Sequence, residues 1–448
     1  MKRKRVIVMD VVGLSPDHFE SGAEIPHLRG LFENGRLYRT RTVFPALTLP
    51  VQASVTTGLA PAAHGVVANG FYFPEQYQVA FWEQASSLVR GERVWERLKA
   101  KDPSIKTALL FFQNSLYASS DVVITPKPLH TEEGLVQWCY SKPVGLYESL
   151  CQEIGAFELM HYWGPLASIE SSRWIARAAV QVLDRERPDL MFVYLPHLDY
   201  CSQKMGPEVP EILDELALVD EAVGIVVEGV RDLGLYEETV FVVFSEYTFS
   251  EVRGDVSLNR VLRDEGFLRV REINGREYLD LELSPAFAMV DHQVAHVYTK
   301  PGMEAPVRRL LEDTPGVDRV MDRKEQAVEG VDHPRSGDLV AVSARDRWFS
   351  YPWWHDADRE PDFARHIDIH RKPGYDPLEL FFEEGTLEIS RDTDLIHGSH
   401  GYPPCEARDD TVLLVSGDVN SAPGPGGEVR ITDMAGMIQG LCLGETPA

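Results

Sequence analysis

Short apolar runs rich in β-branched and aromatic residues recur along the first half of the chain. They are VIVMD at 6–10, TALLFF at 107–112, LMFVYLP at 190–196 and TVFVVFSE at 239–246. Between them, residues 174–185 and 210–233 place apolar side chains every three or four positions, which is the pattern of amphipathic helices. Continuous apolar strands that take turns with such helices predict a doubly wound α/β fold with a mostly parallel sheet and helices on both faces.

The pattern changes after about residue 250. The chain then shows alternating strand patterns at 282–290 and 293–300, a short helical pattern at 307–313 and the aromatic run RWFSYPWW at 347–354. We interpret residues 251–384 as an inserted, smaller α+β cap. The aromatic run is a candidate surface for stacking a nucleobase, but such clusters more often pack a core or a domain interface, and we favour packing.

The end of the chain returns to the sheet pattern. TVLLVSG at 411–417 predicts a strand, and an amphipathic segment begins at Ile431. We therefore expect the catalytic core to comprise residues 1–250 and 385–448. The stretch 421–427, rich in proline and glycine, predicts a surface loop.

Composition excludes several classes of protein. The chain of 448 residues carries a formal net charge of −26, whereas proteins that bind nucleic-acid polymers need basic surfaces, so no such ligand is expected. The five cysteines are odd in number and scattered, which indicates neither a disulfide framework nor a zinc knuckle. The apolar run after the basic start is too short for a signal peptide, and no long apolar run lacks a charge. We expect a cytoplasmic chain without a membrane partner.

Acidic residues follow three of the predicted parallel strands. Asp10 and Glu246 end their strands, and Asp199 comes shortly after its strand. Because chemistry in such sheets collects at the carboxyl ends of the strands, these three carboxylates are expected to meet at one edge. An anionic phosphate substrate would need local positive charge there, and bound divalent ions supply it most compactly.

The most specific motif lies between residues 44 and 69. It reads FPALTLP at 44–50 and continues with Thr-Gly at 57–58, His-Gly at 64–65 and Asn69. The segment resembles the nucleophile motif of the nucleotide pyrophosphatase/phosphodiesterase family, a branch of the alkaline phosphatase superfamily. The resemblance implies that Thr48 is the nucleophile and that Asn69 donates a hydrogen bond to a phosphate oxygen. A threonine hydroxyl becomes a good nucleophile when a divalent metal favours its deprotonation, and the simpler role of Thr48 in helix capping is compatible with this.

The metal-ligand positions of the family are matched only in part. Asp10, followed by Val-Val-Gly, resembles the first ligand. Relatives next carry an aspartate and, four residues later, a histidine shortly before Gly-Pro, whereas here Asp199 is followed by Gln203. His197 lies two residues before Asp199 in what we take to be an extended segment, so it is an alternative ligand, although a structural hydrogen bond is the more common role. The amide oxygen of Gln203 is a weak candidate.

The next motif departs further. Relatives show Ser-Asp-His-Gly, and this chain reads Ser245-Glu246-Tyr247-Thr248. Glu246 keeps the charge and the oxygen donor and remains a candidate ligand beside Thr48. Tyr247 is a doubtful ligand because a phenol with a pKa near ~10 must lose its proton to bind a divalent ion well. The resemblance implies zinc, but the loss of imidazoles shifts the donors toward oxygen and favours manganese or magnesium, with one or two ions bound.

Several histidines and two basic residues complete the candidate site. His400, in HGSHGY at 397–402, matches the histidine-glycine-tyrosine element of the family and is the candidate ligand that shares a metal with Asp199. Additional candidates for metal or substrate are His397, His292 and His370, and candidates for contact with phosphate or carboxylate are Arg371 and Lys372. Since residues 367–370 alternate as a strand would, packing is the favoured role of His370.

The resemblance implies in-line attack of Thr48 on a phosphodiester or pyrophosphate bond of a small substrate such as a nucleotide, through a phosphothreonine intermediate. Two alternatives within the superfamily are hydrolysis of a C–P bond, as in phosphonoacetate hydrolase, and cleavage of a phosphomonoester. A third, of a different class, is a non-catalytic relative that binds a phosphorylated metabolite or a protein partner through a degraded metal site. The complete motif around Thr48 argues against the third.

Overall fold

The computed structural model describes residues 3–132, 134–417 and 429–445. The strands are β1 Arg5–Val11, β2 Gly35–Arg41, β3 Gly70–Phe73, β4 Gln78–Phe81, β5 Thr107–Leu110, β6 Val122–Pro126, β7 Leu129–Thr131, β8 Gly134–Val136, β9 Cys139–Lys142, β10 Leu190–Leu195, β11 Thr239–Phe244, β12 Ser250–Glu251, β13 Asp255–Val256, β14 Val270–Ile273, β15 Arg276–Leu279, β16 Ala286–Asp291, β17 Val294–Thr299, β18 Val317–Met321, β19 Leu339–Ser343, β20 Trp348–Phe349, β21 Gly398–Ser399, β22 Thr411–Ser416 and β23 Val429–Arg430. The helices are α1 Pro26–Glu33, α2 Thr48–Thr57, α3 Pro61–His64, α4 Val94–Lys101, α5 Leu146–Ile154, α6 Ile169–Glu186, α7 His197–Met205, α8 Ile212–Asp232, α9 Leu258–Asp264, α10 Glu304–Glu312, α11 Arg323–Val328 and α12 Met434–Leu443.

The core is a nine-stranded sheet in the order β23-β2-β22-β11-β1-β10-β5-β6-β9. Its centre, β11-β1-β10-β5-β6, is parallel, while β22 and β9 run antiparallel to their neighbours β11 and β6. The four apolar runs of the first half of the sequence are the central strands β1, β5, β10 and β11. The predicted doubly wound, mostly parallel α/β fold is confirmed.

Helices cover both faces of this sheet. Alternate residues of β1 divide between two apolar cores: Ile7, Met9 and Val11 pack with α1, α5, α6 and α8, whereas Val6 and Val8 pack with α2, α4 and α12. Because both faces are buried, β1 has no polar alternation, which explains its continuous apolar sequence. The arrangement leaves the carboxyl ends of β1, β10 and β11 side by side.

A second sheet lies between residues 286 and 343. It has four antiparallel strands in the order β16-β17-β19-β18, and it packs with α9 and α10 around its own apolar core. The aromatic run at 347–354 is buried in and beside this core, with Trp348, Phe349, Tyr351, Trp353 and Trp354 each less than a tenth exposed. The run therefore packs, as we favoured. The boundaries of the cap stay a prediction.

Three local predictions need correction or fall outside the described residues. The strand predicted at 107–112 ends at Leu110, where Phe111 takes the left-handed φ of 59°. The helix predicted at 307–313 begins earlier, at Glu304. The loop predicted at 421–427 lies outside the described residues. Among the helices that the structure describes, none is long and apolar enough to cross a membrane.

Candidate active site

Two carboxylates lie side by side at the carboxyl edge of the sheet. Asp10 is near the end of β1, and Glu246 follows β11 by two residues; both are fully buried. Asp10 Oδ2 accepts a hydrogen bond of 2.9 Å from Gln52 Nε2, but Asp10 Oδ1 and both oxygens of Glu246 have no hydrogen-bond partner among the described residues. Burial, followed by the charge of Glu246, raises the pKa of Asp10 well above its ordinary value, and burial also raises the pKa of Glu246.

Thr48 is the first residue of α2, at the same edge of the sheet. The residue that caps this helix is Leu47, in extended conformation, so Thr48 lies inside the first turn and its hydroxyl is free for other contacts. Thr48 Oγ1 lies 3.0 Å from the hydroxyl of Tyr247. The hydroxyl therefore combines a position at a helix N-terminus, where partial positive charge favours an anion, with proximity to buried carboxylates.

The third carboxylate, Asp199, lies on α7 rather than in an extended segment. Its Oδ1 accepts a hydrogen bond of 3.0 Å from the Tyr247 hydroxyl, and its Oδ2 accepts one of 2.7 Å from Gln203 Nε2. Asp199 and Gln203 share a helix face because they are four residues apart. Burial raises the pKa of Asp199 to about 7, although the bond from Tyr247 opposes this rise.

Two imidazoles lie on the other side of Tyr247. The ring of His400 stacks on that of Tyr247 with centroids 3.6 Å apart, and the ring of His292 lies 3.8 Å from that of His400. His400 Nδ1 bonds the carbonyl of Ala46 at 2.9 Å, so Nδ1 carries the proton and Nε2 its lone pair; His400 Nε2 lies 3.7 Å from Asp199 Oδ1. Burial lowers the pKa of both histidines well below the ordinary value, so both are neutral.

Asn69 is fixed from two sides. Its Oδ1 accepts a hydrogen bond of 3.0 Å from the backbone N–H of Leu49, in the first turn of α2, and its Nδ2 donates to Asp291 Oδ1 at 3.2 Å. The backbone N–H of Asn69 also donates to Asp291, at 2.7 Å. Since an amide nitrogen carries two hydrogens, one N–H of Asn69 remains for a ligand beside Thr48.

Five of these residues form one wall of a cavity of about 250 Å³. Thr48, Asp199, Tyr247, His292 and His400 line it at the sheet edge. The remaining lining is mostly aromatic and apolar, with Trp82, Tyr162, Trp163, Tyr194, Tyr200, Tyr375, Ile367, Ile369, Leu135 and Leu159 among it. No lysine or arginine is among the described residues that line the cavity, and none forms an ion pair with Asp10, Asp199 or Glu246. The described site therefore has an excess of buried negative charge.

Three of the candidate histidines differ from the expected local structure, while their roles as ligands stay predictions. His197, Cys201 and Glu215 bring their ligand atoms within 4.8 Å of one another, which is compatible with a bound metal ion. His197 is the first residue of α7 and pairs with Glu215 of α8 at 2.6 Å, on a face that also carries Cys201, because positions four apart on a helix share a face. His397 is exposed and lies away from the cavity. His370 does line the cavity, but in a turn rather than a strand, and its Nδ1 lies 3.2 Å from the carbonyl of Phe81.

The two basic residues of the cap do not line the cavity. Arg371 is half-exposed and pairs with Asp362 and Asp368. Lys372 is buried and pairs with Asp376 and Glu379, at 2.8 and 2.7 Å. Their charges are therefore balanced by neighbouring carboxylates, and their contact with substrate stays a prediction.

The structure adds four residues that the sequence did not single out. Gln52 bonds Asp10, Asp291 holds Asn69, Tyr375 bonds Gln203, and Trp163 lines the cavity. Gln52 lies four residues after Thr48 on one helix, so helical spacing was a usable signal. Asp291 is beside the candidate His292. No sequence signal marked Tyr375 or Trp163.

A mostly parallel sheet whose carboxyl edge gathers buried carboxylates and an imidazole around a hydroxyl at a helix N-terminus has the architecture of the alkaline phosphatase superfamily of hydrolases. Within it, the chain belongs to the type I phosphodiesterase/nucleotide pyrophosphatase family, whose family model matches residues 6–376. Members of this family are hydrolases, and the family depends on divalent metal ions.

The similarity to individual proteins is distant. Ectonucleotide pyrophosphatase/phosphodiesterase family member 1 of Mus musculus is 25% identical over 239 residues, which are 51% of this chain and 22% of that protein. The match thus spans less than a quarter of that relative's length.

Two solved structures show the shared fold over nearly the whole chain. Murine ectonucleotide pyrophosphatase/phosphodiesterase 5 has a TM-score of 0.63 at 16% identity and covers 99% of this chain and 96% of its own. A second structure of that murine protein is an inactive threonine-to-alanine variant in complex with AMP. Phosphonoacetate hydrolase of Sinorhizobium meliloti, in complex with phosphonoacetate, has a TM-score of 0.60 at 18% identity and covers 98% of this chain and 95% of its own.

Proposed function

We propose that this chain is a divalent-metal-dependent hydrolase of phosphodiester or pyrophosphate bonds in small substrates, with Thr48 as the nucleophile. The observation that carries the proposal is the position of the Thr48 hydroxyl. It lies in the first turn of α2, on the wall of the aromatic cavity and at the sheet edge that holds Asp10 and Glu246. The inactive threonine-to-alanine variant of the murine relative supports the same role for a threonine.

The side chains present fit one divalent ion. Three carboxylate oxygens of Asp10 and Glu246 are buried without a hydrogen-bond partner among the described residues, and no described lysine or arginine offsets their charge. Leaving such charges unpaired is costly, and a cation bound by both carboxylates with the Thr48 hydroxyl would remove that cost. When bound, the ion would favour the alkoxide form of Thr48. All three donors are oxygens, which favours Mn²⁺ or Mg²⁺ over Zn²⁺.

Hydrogen bonds orient the nucleophile. Burial, followed by the charges of Asp199 and Glu246, raises the pKa of Tyr247 well above its ordinary value, so the phenol keeps its proton. That proton is donated to Asp199, so the Thr48 hydroxyl donates to the phenol oxygen of Tyr247. A lone pair of Thr48 is thereby left to face the cavity and a phosphorus atom there.

Asn69 is placed to stabilise the charge that develops during attack. Its amide is held by Leu49 and Asp291, which leaves one N–H beside the first turn of α2. Backbone N–H groups of that turn add partial positive charge. Preorganised donors of this kind act on the transition state without the cost of reorientation, and removing one typically lowers kcat by ~10²–10³.

The lining of the cavity favours a substrate with a planar or apolar group next to the phosphorus. Aromatic rings such as Trp82, Tyr162 and Trp163 offer stacking surfaces. The AMP complex of the murine relative supports a nucleotide. A phosphonate that carries a carboxylate would need a cationic partner, and the described lining contains no lysine or arginine. This lack favours a singly charged phosphodiester over phosphonoacetate.

The test is metal-dependent hydrolysis of bis(p-nitrophenyl) phosphate, p-nitrophenyl phosphate, a dinucleoside pyrophosphate and phosphonoacetate. We expect cleavage of the diester and the pyrophosphate with Mn²⁺ or Mg²⁺, and its loss in Thr48→Ala. Thr56→Ala is the matched control, because Thr56 lies on the same helix and its hydroxyl bonds only backbone carbonyls of that helix. Unchanged hydrolysis in Thr48→Ala would refute the role of Thr48. Preference for the monoester or for phosphonoacetate would refute the substrate class.

A further inference from the structure

Four aromatic rings form a continuous stack along the wall of the cavity. The order is Tyr247, His400, His292 and Tyr375, with successive centroids 3.6, 3.8 and 3.7 Å apart. The outer contacts are close to parallel, with interplanar angles of 6° and 19°. All four side chains are buried.

Hydrogen bonds join the two ends of this stack. The Tyr247 hydroxyl donates to Asp199 Oδ1 at 3.0 Å, Gln203 Nε2 donates to Asp199 Oδ2 at 2.7 Å, and the Tyr375 hydroxyl donates to Gln203 Oε1 at 2.8 Å. A carboxylate can only accept, so the Gln203 nitrogen must face Asp199, and its oxygen is then turned toward Tyr375. We call this closed arrangement the Asp199 cluster, defined as Asp199, Gln203, Tyr247, His292, Tyr375 and His400.

The Asp199 cluster contains Asp199, His400 and Gln203, the three positions at which the family resemblance predicts ligands of a second metal ion, with histidine expected at position 203. The Tyr247 oxygen lies 3.0 Å from both Thr48 Oγ1 and Asp199 Oδ1. A metal ion bound to Asp199 Oδ1 at ~2.0–2.2 Å would compete with the phenol hydroxyl that already donates to this oxygen. Each Asp199 oxygen has a neutral donor, so Asp199 is satisfied without a cation.

Asp10 and Glu246 differ from Asp199, because most of their carboxylate oxygens have no hydrogen-bond donor among the described residues. Asp10 and Glu246 have three carboxylate oxygens without a partner among the described residues, and Gln52 donates to the fourth. The hydrogen bonds of the Tyr247 hydroxyl go to Thr48 and Asp199 among the described residues, although this hydroxyl lies close enough to Glu246 to oppose the rise in pKa that burial causes in that carboxyl. The carboxylate oxygens without a partner are therefore confined to one half of the site, whereas the other half contains one imidazole nitrogen without a partner, Nε2 of His292.

We propose that the site takes a single divalent cation, held by Asp10, Glu246 and Thr48, and that the Asp199 cluster excludes a second one. This inference rests on the proposed function, which identifies the site as a metal site. It adds how many ions bind there and which carboxylates hold them. It predicts that Asp199, although buried among the candidate ligands, is not one of them.

The test is metal content, which does not depend on turnover. The protein is stripped with chelator, equilibrated with Mn²⁺ alone, freed of excess and analysed by elemental mass spectrometry, with the electron paramagnetic resonance spectrum recorded in parallel. We expect one Mn²⁺ per chain and the spectrum of an isolated ion. Two ions per chain, an exchange-coupled spectrum, or no bound ion would overturn the proposal.

Variants assign the ligand set. Asp10→Asn should lose the ion, whereas Asp199→Asn should keep it; loss of Mn²⁺ in a folded Asp199→Asn variant would contradict the proposal. The double variant Gln203→His/Tyr247→His returns imidazoles to both altered positions and should bind two ions. A folded double variant that still binds one ion would contradict the assignment of these two residues as the excluding groups. Circular dichroism in the near ultraviolet establishes folding for each variant.

The outcome separates this inference from the proposed function. Two Mn²⁺ per chain together with Thr48-dependent hydrolysis would refute only the single-ion proposal. One Mn²⁺ per chain in a protein whose hydrolysis survives Thr48→Ala would refute only the role of Thr48.

Discussion

Gln52→Leu tests the hydrogen bonding that holds Asp10 at the sheet edge. Gln52 is 1% exposed, so a side chain of similar size replaces it without contact with water. Its Nε2 donates to Asp10 at 2.9 Å, and its Oε1 accepts from the backbone N–H of Gln113 at 2.7 Å. Leucine deletes both bonds and leaves a buried carboxylate oxygen and a buried N–H without partners.

The magnitude is set by the two lost bonds. A hydrogen bond to a charged acceptor contributes about 1.5–3 kcal/mol, and an unsatisfied buried N–H costs about 1–3 kcal/mol. The added apolar side chain recovers about 1 kcal/mol. The net loss is about 1.5–5 kcal/mol. With an unfolding entropy of about 2.1 cal/mol/K per residue, 448 residues give about 0.9 kcal/mol/K, so the Tm should fall by about 2–5 °C.

The effect should depend on pH. Gln52 opposes the rise in the pKa of Asp10, so its removal raises that pKa further. A carboxyl whose folded-state pKa exceeds its unfolded-state value loses stability as the pH rises from the unfolded value toward the folded one. The deficit of Gln52→Leu should therefore be no smaller near pH 8 than near pH 5, and it should grow where the pH exceeds the folded-state pKa of Asp10 in wild type.

The assay is thermal unfolding of metal-free protein, measured by circular dichroism at both pH values. Gln76→Leu, at an exposed position, is the matched control and should leave the Tm unchanged. A Tm for Gln52→Leu within one degree of wild type near pH 8, or a larger deficit near pH 5, would refute the role assigned to Gln52.

Two further predictions concern buried charges away from Thr48. Burial raises the pKa of Asp199 and of Asp291 to about 7, so metal-free protein should lose about 2 kcal/mol per group between about pH 5.5 and 8, as measured by urea unfolding. A flat profile would contradict the burial of these charges. Lys372→Met leaves Glu379 without its cation and should cost about 3–5 kcal/mol, whereas Arg371→Met should cost less than about 1 kcal/mol and leave KM unchanged. A raised KM in Arg371→Met would return that residue to the substrate site.

Much of the fold was predictable because its signal is local. Central strands such as β1 and β11 are apolar on both faces, and amphipathic helices such as α8 separate them. The same logic brought Asp10 and Glu246 to one edge, since the carboxyl ends of neighbouring parallel strands must meet there. Thr48 was identified from a motif that is continuous in sequence. The roles of these residues stay predictions until they are measured.

The errors have a common cause. In a strand, His197 and Asp199 would lie on the same side because they are two residues apart. Residues 197–199 are helical instead, so the two side chains point in different directions. Lys372 looked like a phosphate ligand because Asp376 and Glu379, which neutralise it, are ordinary acidic residues in the sequence. Tyr375 belongs to the site through a hydrogen bond to Gln203, a ring contact with His292 and its place in the cavity wall, none of which a local sequence pattern records.

The altered ligand positions acquire a physical interpretation from the structure. Gln203 and Tyr247 both donate to Asp199, one to each oxygen. Both residues stand at positions where the family resemblance predicts metal-binding histidines. Their hydrogen bonds compensate the charge of Asp199 in place of a cation. The two changes act together, which explains why the fold accommodates a buried Asp199 at this edge.

The most direct measurement of the central claim is a search for the covalent intermediate on Thr48. Protein loaded with Mn²⁺ is mixed with a phosphodiester labelled at phosphorus, quenched in acid within a turnover, digested and analysed by mass spectrometry, in wild type and in Thr48→Ala. In wild type we expect the peptide that contains Thr48 to carry the phosphoryl group together with the ester substituent that has not left, and in the variant we expect it to carry no label. Turnover without label on that peptide in wild type, or turnover that continues in Thr48→Ala, would contradict it.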